Sequence, residues 1–288
     1  MAAPVRELAM KRIVVGTDGS AGAANAMRWA ARLASRHGAE VVVMTGLVPT
    51  DAELPPKRVN ALVAEREDEL TAWSEAARLG DVAVRTIVEW GDPRPAILEV
   101  ASREQADLVV VGRAGRSAGP GLLHFGSVAE WLAHHSELPV AVIGGAVNLV
   151  TRSVLVAVDG SDGSFAAVGW VREMRGDADV RVVAASVAQP YLEWTTVDSS
   201  ENWRRALEAE IRDEYVADLV DDGGKVEVLA LAGSNVADQL LQGAKDERVD
   251  LVVVGTRGLG GFSGLRIGGV ALKVLHRADR PVVFVPSG

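Results

Sequence analysis

Cysteine is absent from this 288-residue chain, which rules out disulfides, thiol catalysis and cysteine-held metal centres. Long apolar runs are absent too. Stretches such as Leu108 to Val111 and Leu251 to Val254 are strand-sized, far short of the roughly 20 residues that cross a bilayer. The opening segment from Met1 to Arg12 lacks the basic start, apolar stretch and cleavage pattern of a secretory leader, so a cytoplasmic protein with no membrane partner is expected. A basic excess is also lacking. The formal net charge of −9 argues against broad nucleic-acid binding, which needs a basic surface, so any phosphate binding has to be local. No histidine and carboxylate spacing resembles a metal site: His37, His134, His135 and His276 stand at helix ends, where the helix dipole favours them.

What the chain does contain is a glycine-patterned segment, twice. Each copy follows a Leu-Val-Val-Val strand and precedes a helix: Gly112, Gly115 and Gly126 in the first, Gly255, Gly258 and Gly268 in the second. A glycine turn between a parallel strand and a helix N-terminus is a place where backbone N–H groups can wrap a phosphate. The repeat extends further. Asp18 recurs as Asp159 (offset 141), Gly112 as Gly255 (143), Gly126 as Gly268 (142) and Pro139 as Pro281 (142). Trp29 and Trp170 each lie 11 residues after their aspartate. A period this long is a domain duplication and not a solenoid, whose units run to roughly 20 to 50 residues. Two domains follow, 1–146 and 147–288, each of roughly 140 residues and able to bury its own core. The linker, Gly144 to Arg152, is short.

Each half alternates strands rich in Val and Leu with helical segments, which predicts a parallel sheet covered on both faces: a doubly wound, Rossmann-like α/β domain of five strands, made twice. The predicted helices include 56–79 in the first half and an unbroken 202–219 in the second. Asp92 before Pro93, and Ser234 before Asn235, stand where helix N-caps belong. The last strands, Val140 to Ile143 and Val282 to Val285, should be sheet edges, which need covering. The two halves are therefore expected to pack on each other as a pseudo-twofold pair within the chain, and a homodimer of the whole chain is compatible with that. Ligands of such sheets bind beyond the carboxyl ends of the strands, where strand order reverses. There the Asp-Gly-Ser turn and the glycine loop of each half are expected to converge. Arg113 and Arg116, with Arg257 and Arg266, are candidates for local positive charge, and His124 lies in the first glycine loop.

These residues resemble the universal stress protein family in its tandem form, over nearly the whole chain. The resemblance rests on a strand ending in Asp-Gly-Ser and on the signature Gly-x2-Gly-x9-Gly-(Ser/Thr), which marks the family's ATP-binding subset. It implies an adenine nucleotide hydrolase-like fold and ATP-dependent regulation in stress or growth arrest. Carried over residue by residue, Asp18 and Asp159 accept from the adenine end of the nucleotide, beside Thr17 and Val158, while Gly46 and Ala185 wall the base. Gly112 and Gly115, with Gly255 and Gly258, let the backbone approach ribose and phosphates. Val111 and Val254 lead into those loops. Gly126, Ser127 and Val128, with Gly268, Gly269 and Val270, open the last helix onto the outer phosphates. The implied ligand is ATP, or ADP or AMP, with Mg²⁺ bridging the phosphates. Both halves depart from the signature: ten residues separate Gly115 from Gly126, and Gly269 replaces the hydroxyl in the second copy. A lost hydrogen bond of that kind costs about 0.5 to 1.5 kcal/mol, which weakens a site without abolishing it.

Other classes fit less well. A dinucleotide dehydrogenase needs Gly-x-Gly-x-x-Gly after its first strand, where this chain has Asp-Gly-Ser. A phosphoacceptor receiver would carry an aspartate after the third strand of each half, but Asp92 is matched by Ser234, and no lysine ends the fifth strand. The Ser-Gly-Gly-x-Asp-Ser turn of an ATP pyrophosphatase is absent. No general base or activated nucleophile stands out beside the glycine loops, so the chain reads as a non-enzymatic binding and signalling module with slow hydrolysis or none. The alternative is a structural or protein-interaction member of the same fold that does not bind nucleotide.

Overall fold

The computed structural model describes residues 10–48, 55–115, 126–144, 147–176, 178–188, 197–221, 225–259 and 267–287. The first half runs β1 (Arg12–Gly16), α1 (Ala21–His37), β2 (Glu40–Leu47), α2 (Pro56–Ala77), β3 (Val84–Trp90), α3 (Pro93–Arg103), β4 (Leu108–Gly112), α4 (Ser127–His135) and β5 (Val140–Ile143). The second half repeats it as β6 (Ser153–Ala157), α5 (Asp162–Arg175), β7 (Arg181–Ala188), α6 (Val197–Glu210), α7 (Ala217–Asp221), β8 (Val226–Ala232), α8 (Val236–Asp246), β9 (Leu251–Gly255), α9 (Gly269–Arg277) and β10 (Val282–Val285). The domain boundary expected after residue 146 falls on residues outside this description.

One predicted helix is broken. In place of an unbroken 202–219, a π-helical turn, Ile211–Tyr215, separates α6 from α7. The reason is tertiary. Ile211, Val216 and Leu219 are all fully buried, and the wider turn accommodates them while Tyr215 packs edge-on against Phe165 with ring centroids 6.1 Å apart. A second correction concerns a helix cap. Asp92 caps α3 as expected, its Oδ1 accepting from Arg94 N at 2.9 Å, but in the second half the cap position belongs to Asn235, whose side chain makes no capping bond. Ser20 and Ser161 cap α1 and α5 through their hydroxyls, at 3.1 and 3.2 Å.

Among the described residues the strands form one sheet in the order β3-β2-β1-β4-β5-β10-β9-β6-β7-β8. Each half is parallel throughout. The halves meet where β5 and β10 pair antiparallel, with Val142 opposite Val282, Ala141 opposite Val283 and Val140 opposite Phe284. Each expected edge strand is thus covered by its counterpart, and Phe284 is fully buried at the seam. The palindromic strand order is the pseudo-twofold arrangement that the sequence predicts. Helices α1, α2, α5 and α6 pack on one face of the sheet, and α3, α4, α8 and α9 on the other; the apolar layer on each face continues across the seam. Side chains tie the halves as well: Arg36 Nη2 donates to Thr151 O at 3.1 Å, and His37 Nε2 lies 3.0 Å from Met174 O.

Candidate functional site

Strand order reverses at β1 and β4 in the first half and at β6 and β9 in the second, because the chain leaves β1 toward β2 and returns to pair β4 on the other side. That reversal brings each aspartate turn against its glycine loop. In the second half the result is a cavity of about 540 Å³. Its lining includes Val158, Asp159 and Ala185 from one side and Val254, Gly255, Arg257, Gly258, Gly268, Gly269 and Val270 from the other, so the residues singled out in this half are gathered in one place.

The Asp159 carboxylate is held by the loops it joins. Its Oδ1 accepts from Ser161 N at 3.1 Å and from Ser161 Oγ at 2.5 Å, and its Oδ2 accepts from Leu259 N at 3.2 Å. The glycine loop is closed at its base, where Gly268 N donates to Thr256 O at 2.7 Å. Helix α9 then begins at Gly269 with no side-chain cap among the described residues, and Gly268 to Ala271 all line the cavity. A helix start with unclaimed N–H groups is electropositive and suited to an anion.

The first half has the same connections. Asp18 Oδ1 accepts from Ser20 N at 3.0 Å, Thr17 N donates to Met44 O at 2.9 Å, and Gly126 N donates to Arg113 O at 2.9 Å. A β-carbon on Gly115 would lie 2.6 Å from Asp18 Oδ2. Thr17, Asp18, Val111, Gly112, Gly115 and Gly126 thus come together at the ends of β1 and β4. Ser127 and Val128 follow as the first residues of α4, which also starts without a side-chain cap.

The family assignment of these loops can be checked against known proteins. A sequence profile of the universal stress protein family matches residues 10–144 and again 151–286. The chain belongs to the universal stress protein family. A universal stress protein of Mycolicibacterium smegmatis is 30% identical, with 95% of this chain and 96% of that protein covered. Universal stress protein Rv2623 of Mycobacterium tuberculosis is 28% identical over 94% of this chain and 95% of its own length. Among solved structures, a universal stress protein from Archaeoglobus fulgidus superposes with a TM-score of 0.70, covering 98% of both chains at 20% identity.

Several residues expected at the site of this universal stress protein also make contacts with neighbouring segments. The side chains of Arg113 and Arg257 have protein partners: Arg113 Nη2 donates to His276 O of the opposite half at 2.7 Å, and Arg257, while lining the cavity, donates to Ser287 Oγ at 3.0 Å and Ser287 O at 3.1 Å. Burial lowers the pKa of Arg113 from its ordinary value. Gly112 and Gly255 serve packing. A β-carbon on Gly255 would lie 2.5 Å from the backbone of Gly163 in α5, and one on Gly112 would lie 2.9 Å from Gly22 in α1. Gly46 and Ala185 are not equivalent positions: strand register pairs Gly16 with Met44 and Ala157 with Ala185, so Met44 is the counterpart of Ala185. Gly46 instead makes room for α3, since a β-carbon there would meet Pro93 Cα at 2.9 Å. Arg116, His124 and Arg266 lie outside the described residues.

Four further polar residues line the cavity, Ser164, Ser186, Thr256 and Lys273, none of them among the residues that the sequence singles out. Lys273 had a legible signal. It lies four residues after Gly269, one turn up α9 and on the same helix face, while the first copy has Trp131 at the matching position. Lys273 is an exposed residue of the lining.

Proposed function

We propose that this universal stress protein binds an adenine nucleotide, ATP or its di- or monophosphate, beyond the ends of β4 and β9, as a regulatory signal in stress or growth arrest. The observation that carries this reading is the start of α9, an uncapped helix N-terminus opening into a cavity of about 540 Å³ with the Asp159 carboxylate on the facing turn. A volume of that size falls in the range of about 300 to 1,000 Å³ usual for small-molecule sites. Phosphates take the α9 end and the base takes the apolar wall made by Val158, Ala185 and Val187. Lys273 adds a cation at the phosphate end. Among the described residues Asp159 is the one carboxylate of the lining, and no group of three His, Asp or Glu side chains could hold a metal. Mg²⁺ would therefore arrive with the phosphates and bridge them. Among the described lining residues there is no histidine and no second carboxylate to act as general base, which is in keeping with slow hydrolysis or none.

Two measurements test the proposal. Denaturing the purified protein should release adenine nucleotide, detectable by chromatography and mass. Titration calorimetry at fixed Mg²⁺ should give tighter binding of ATP than of GTP or NAD. Equal affinity for GTP would remove the adenine-reading role of Asp18 and Asp159. Neither release nor binding would favour the alternative, a protein-interaction member of the family without a nucleotide.

A further inference from the structure

Apart from both glycine loops, α1 and the C-terminal end of α2 enclose a cleft of about 450 Å³ in the first half. Three arginines line it: Arg28 and Arg32, one turn apart on α1, and Arg78, the residue that ends α2. No Asp or Glu is among the described lining residues. Arg28 is fixed in place, donating through Nη1 to Asn25 Oδ1 at 2.7 Å and through Nε to Ala77 O at 3.3 Å, which leaves donors of its fork unused. Arg32 and Arg78 are exposed, and their side chains make no hydrogen bond or ion pair with the described residues. Three like charges around one cleft repel one another, and an anion between them relieves that repulsion.

Two observations separate this cluster from ordinary solvated arginines. Arg78 occupies a left-handed conformation, φ 51°, at a helix end where glycine is the usual choice, as Gly38 is at the end of α1. The duplicated half, aligned on Trp29 and Trp170, has Gly169 and Glu173 where the first half has Arg28 and Arg32. The fold can therefore be built without these arginines, and the cleft's charge is particular to the first half.

We propose that this cleft is a binding site for a phosphate-type oxyanion, distinct from the nucleotide site. Guanidinium forks match the oxygens of a phosphate in paired hydrogen bonds. Ala31, Ala77, Leu79 and Leu149 supply an apolar floor that fits a small organic group attached to that phosphate. Leu149 belongs to the segment joining the two halves, so the ligand rests against the linker.

Calorimetry on the full chain tests this with two probes, inorganic phosphate and phenyl phosphate, in a buffer without other phosphate. One equivalent of phenyl phosphate should bind and should not be displaced by ATP with Mg²⁺. Joint Arg32→Glu and Arg78→Glu substitution should weaken binding about tenfold or more, and Arg32→Lys with Arg78→Lys should restore part of it. Arg58→Glu with Arg205→Glu, a charge reversal of the same size at exposed positions elsewhere, should leave it unchanged. If the reversed cleft fails to fold, Arg32→Gln with Arg78→Gln gives the same comparison. Equal affinity for both probes would support the site with the phosphate ion itself as ligand. The proposal is overturned if neither probe binds, if ATP competes, or if the control reversal weakens binding as much as the cleft reversal.

Discussion

A β-carbon placed on Gly258 would lie 2.5 Å from Asp159 Oδ2. The two residues come from opposite loops of the cavity, and the missing side chain is what lets the carboxylate sit against the glycine loop. No left-handed φ is involved at Gly258 or at Gly115, and what each would strike is the far end of a side chain that can move. Gly115→Glu and Gly258→Glu should therefore each remove one nucleotide equivalent by displacing the aspartate, and the double variant should bind none. In nucleotide-free buffer its melting temperature should stay close to that of the parent, while stabilisation by added ATP disappears, as mass action requires. A double variant that still releases ATP on denaturation would reduce these glycines to structural turns.

The glycines three residues earlier should behave in the opposite way. Gly255 faces backbone: its β-carbon would lie 2.5 Å from Gly163 C, and a β-carbon on Gly163 would lie 2.1 Å from Arg257 O. Neither neighbour can rotate away. Gly255→Ala should push α5 off β9 and lower stability by about 1 to 3 kcal/mol, the usual cost of overpacking. Urea unfolding would register this as a shifted midpoint without added nucleotide. An unshifted midpoint would mean that α5 has slack that the structure does not suggest.

The sequence carried the architecture because the signals were duplicated. Asp18 and Asp159, Trp29 and Trp170, and the two Leu-Val-Val-Val-Gly strands hold a common register, and buried parallel strands are uniformly apolar, so the strand set and the pseudo-twofold seam could be read directly. What escaped depends on contacts between distant segments. The turn at Ile211–Tyr215 follows from burial against the sheet, which local helical spacing does not encode. The direction of Arg113, toward a carbonyl of the other half, is invisible in a loop sequence. Position near a strand end pairs Gly46 with Ala185, whereas the register with β1 and β6 makes Met44 the counterpart of Ala185.

Lys273 makes the two halves unequal. The second half has Gly269 where the first keeps the hydroxyl of Ser127, and Lys273, which lines the cavity, where the first has Trp131. A cation at the phosphate end favours ligands in proportion to their phosphate charge. Lys273→Gln should weaken ATP binding to the second site by about three- to tenfold, allowing for an exposed cation in water, and should weaken AMP binding less. Calorimetry on a Gly115→Glu background isolates the second site. An equal loss for ATP and AMP would place the ammonium away from the outer phosphates.

Glu173 of α5 gives a pH-dependent prediction. Burial raises its pKa above the ordinary carboxyl range, and the Asp107 carboxylate of the opposite half raises it further. The folded state therefore prefers the protonated acid. The stability that follows from this preference is fully present below the unfolded pKa, near 4.3, and is lost as the pH rises through the higher folded value. At neutral pH the raised pKa is a cost to the fold that a neutral isostere avoids. Glu173→Gln should raise the melting temperature at pH 7, by about 2 to 4 °C for each kcal/mol recovered in a chain of this size, and the gain should shrink to nothing below pH 4. The comparison must be between the two proteins at each pH. Glu40 and Glu104, whose pKa values are lowered mainly by hydrogen bonds from Arg85, draw the stability of both down together as the pH falls. A difference that grows on acidification would show that Glu173 is stabilised as the anion, the reverse of what its surroundings dictate.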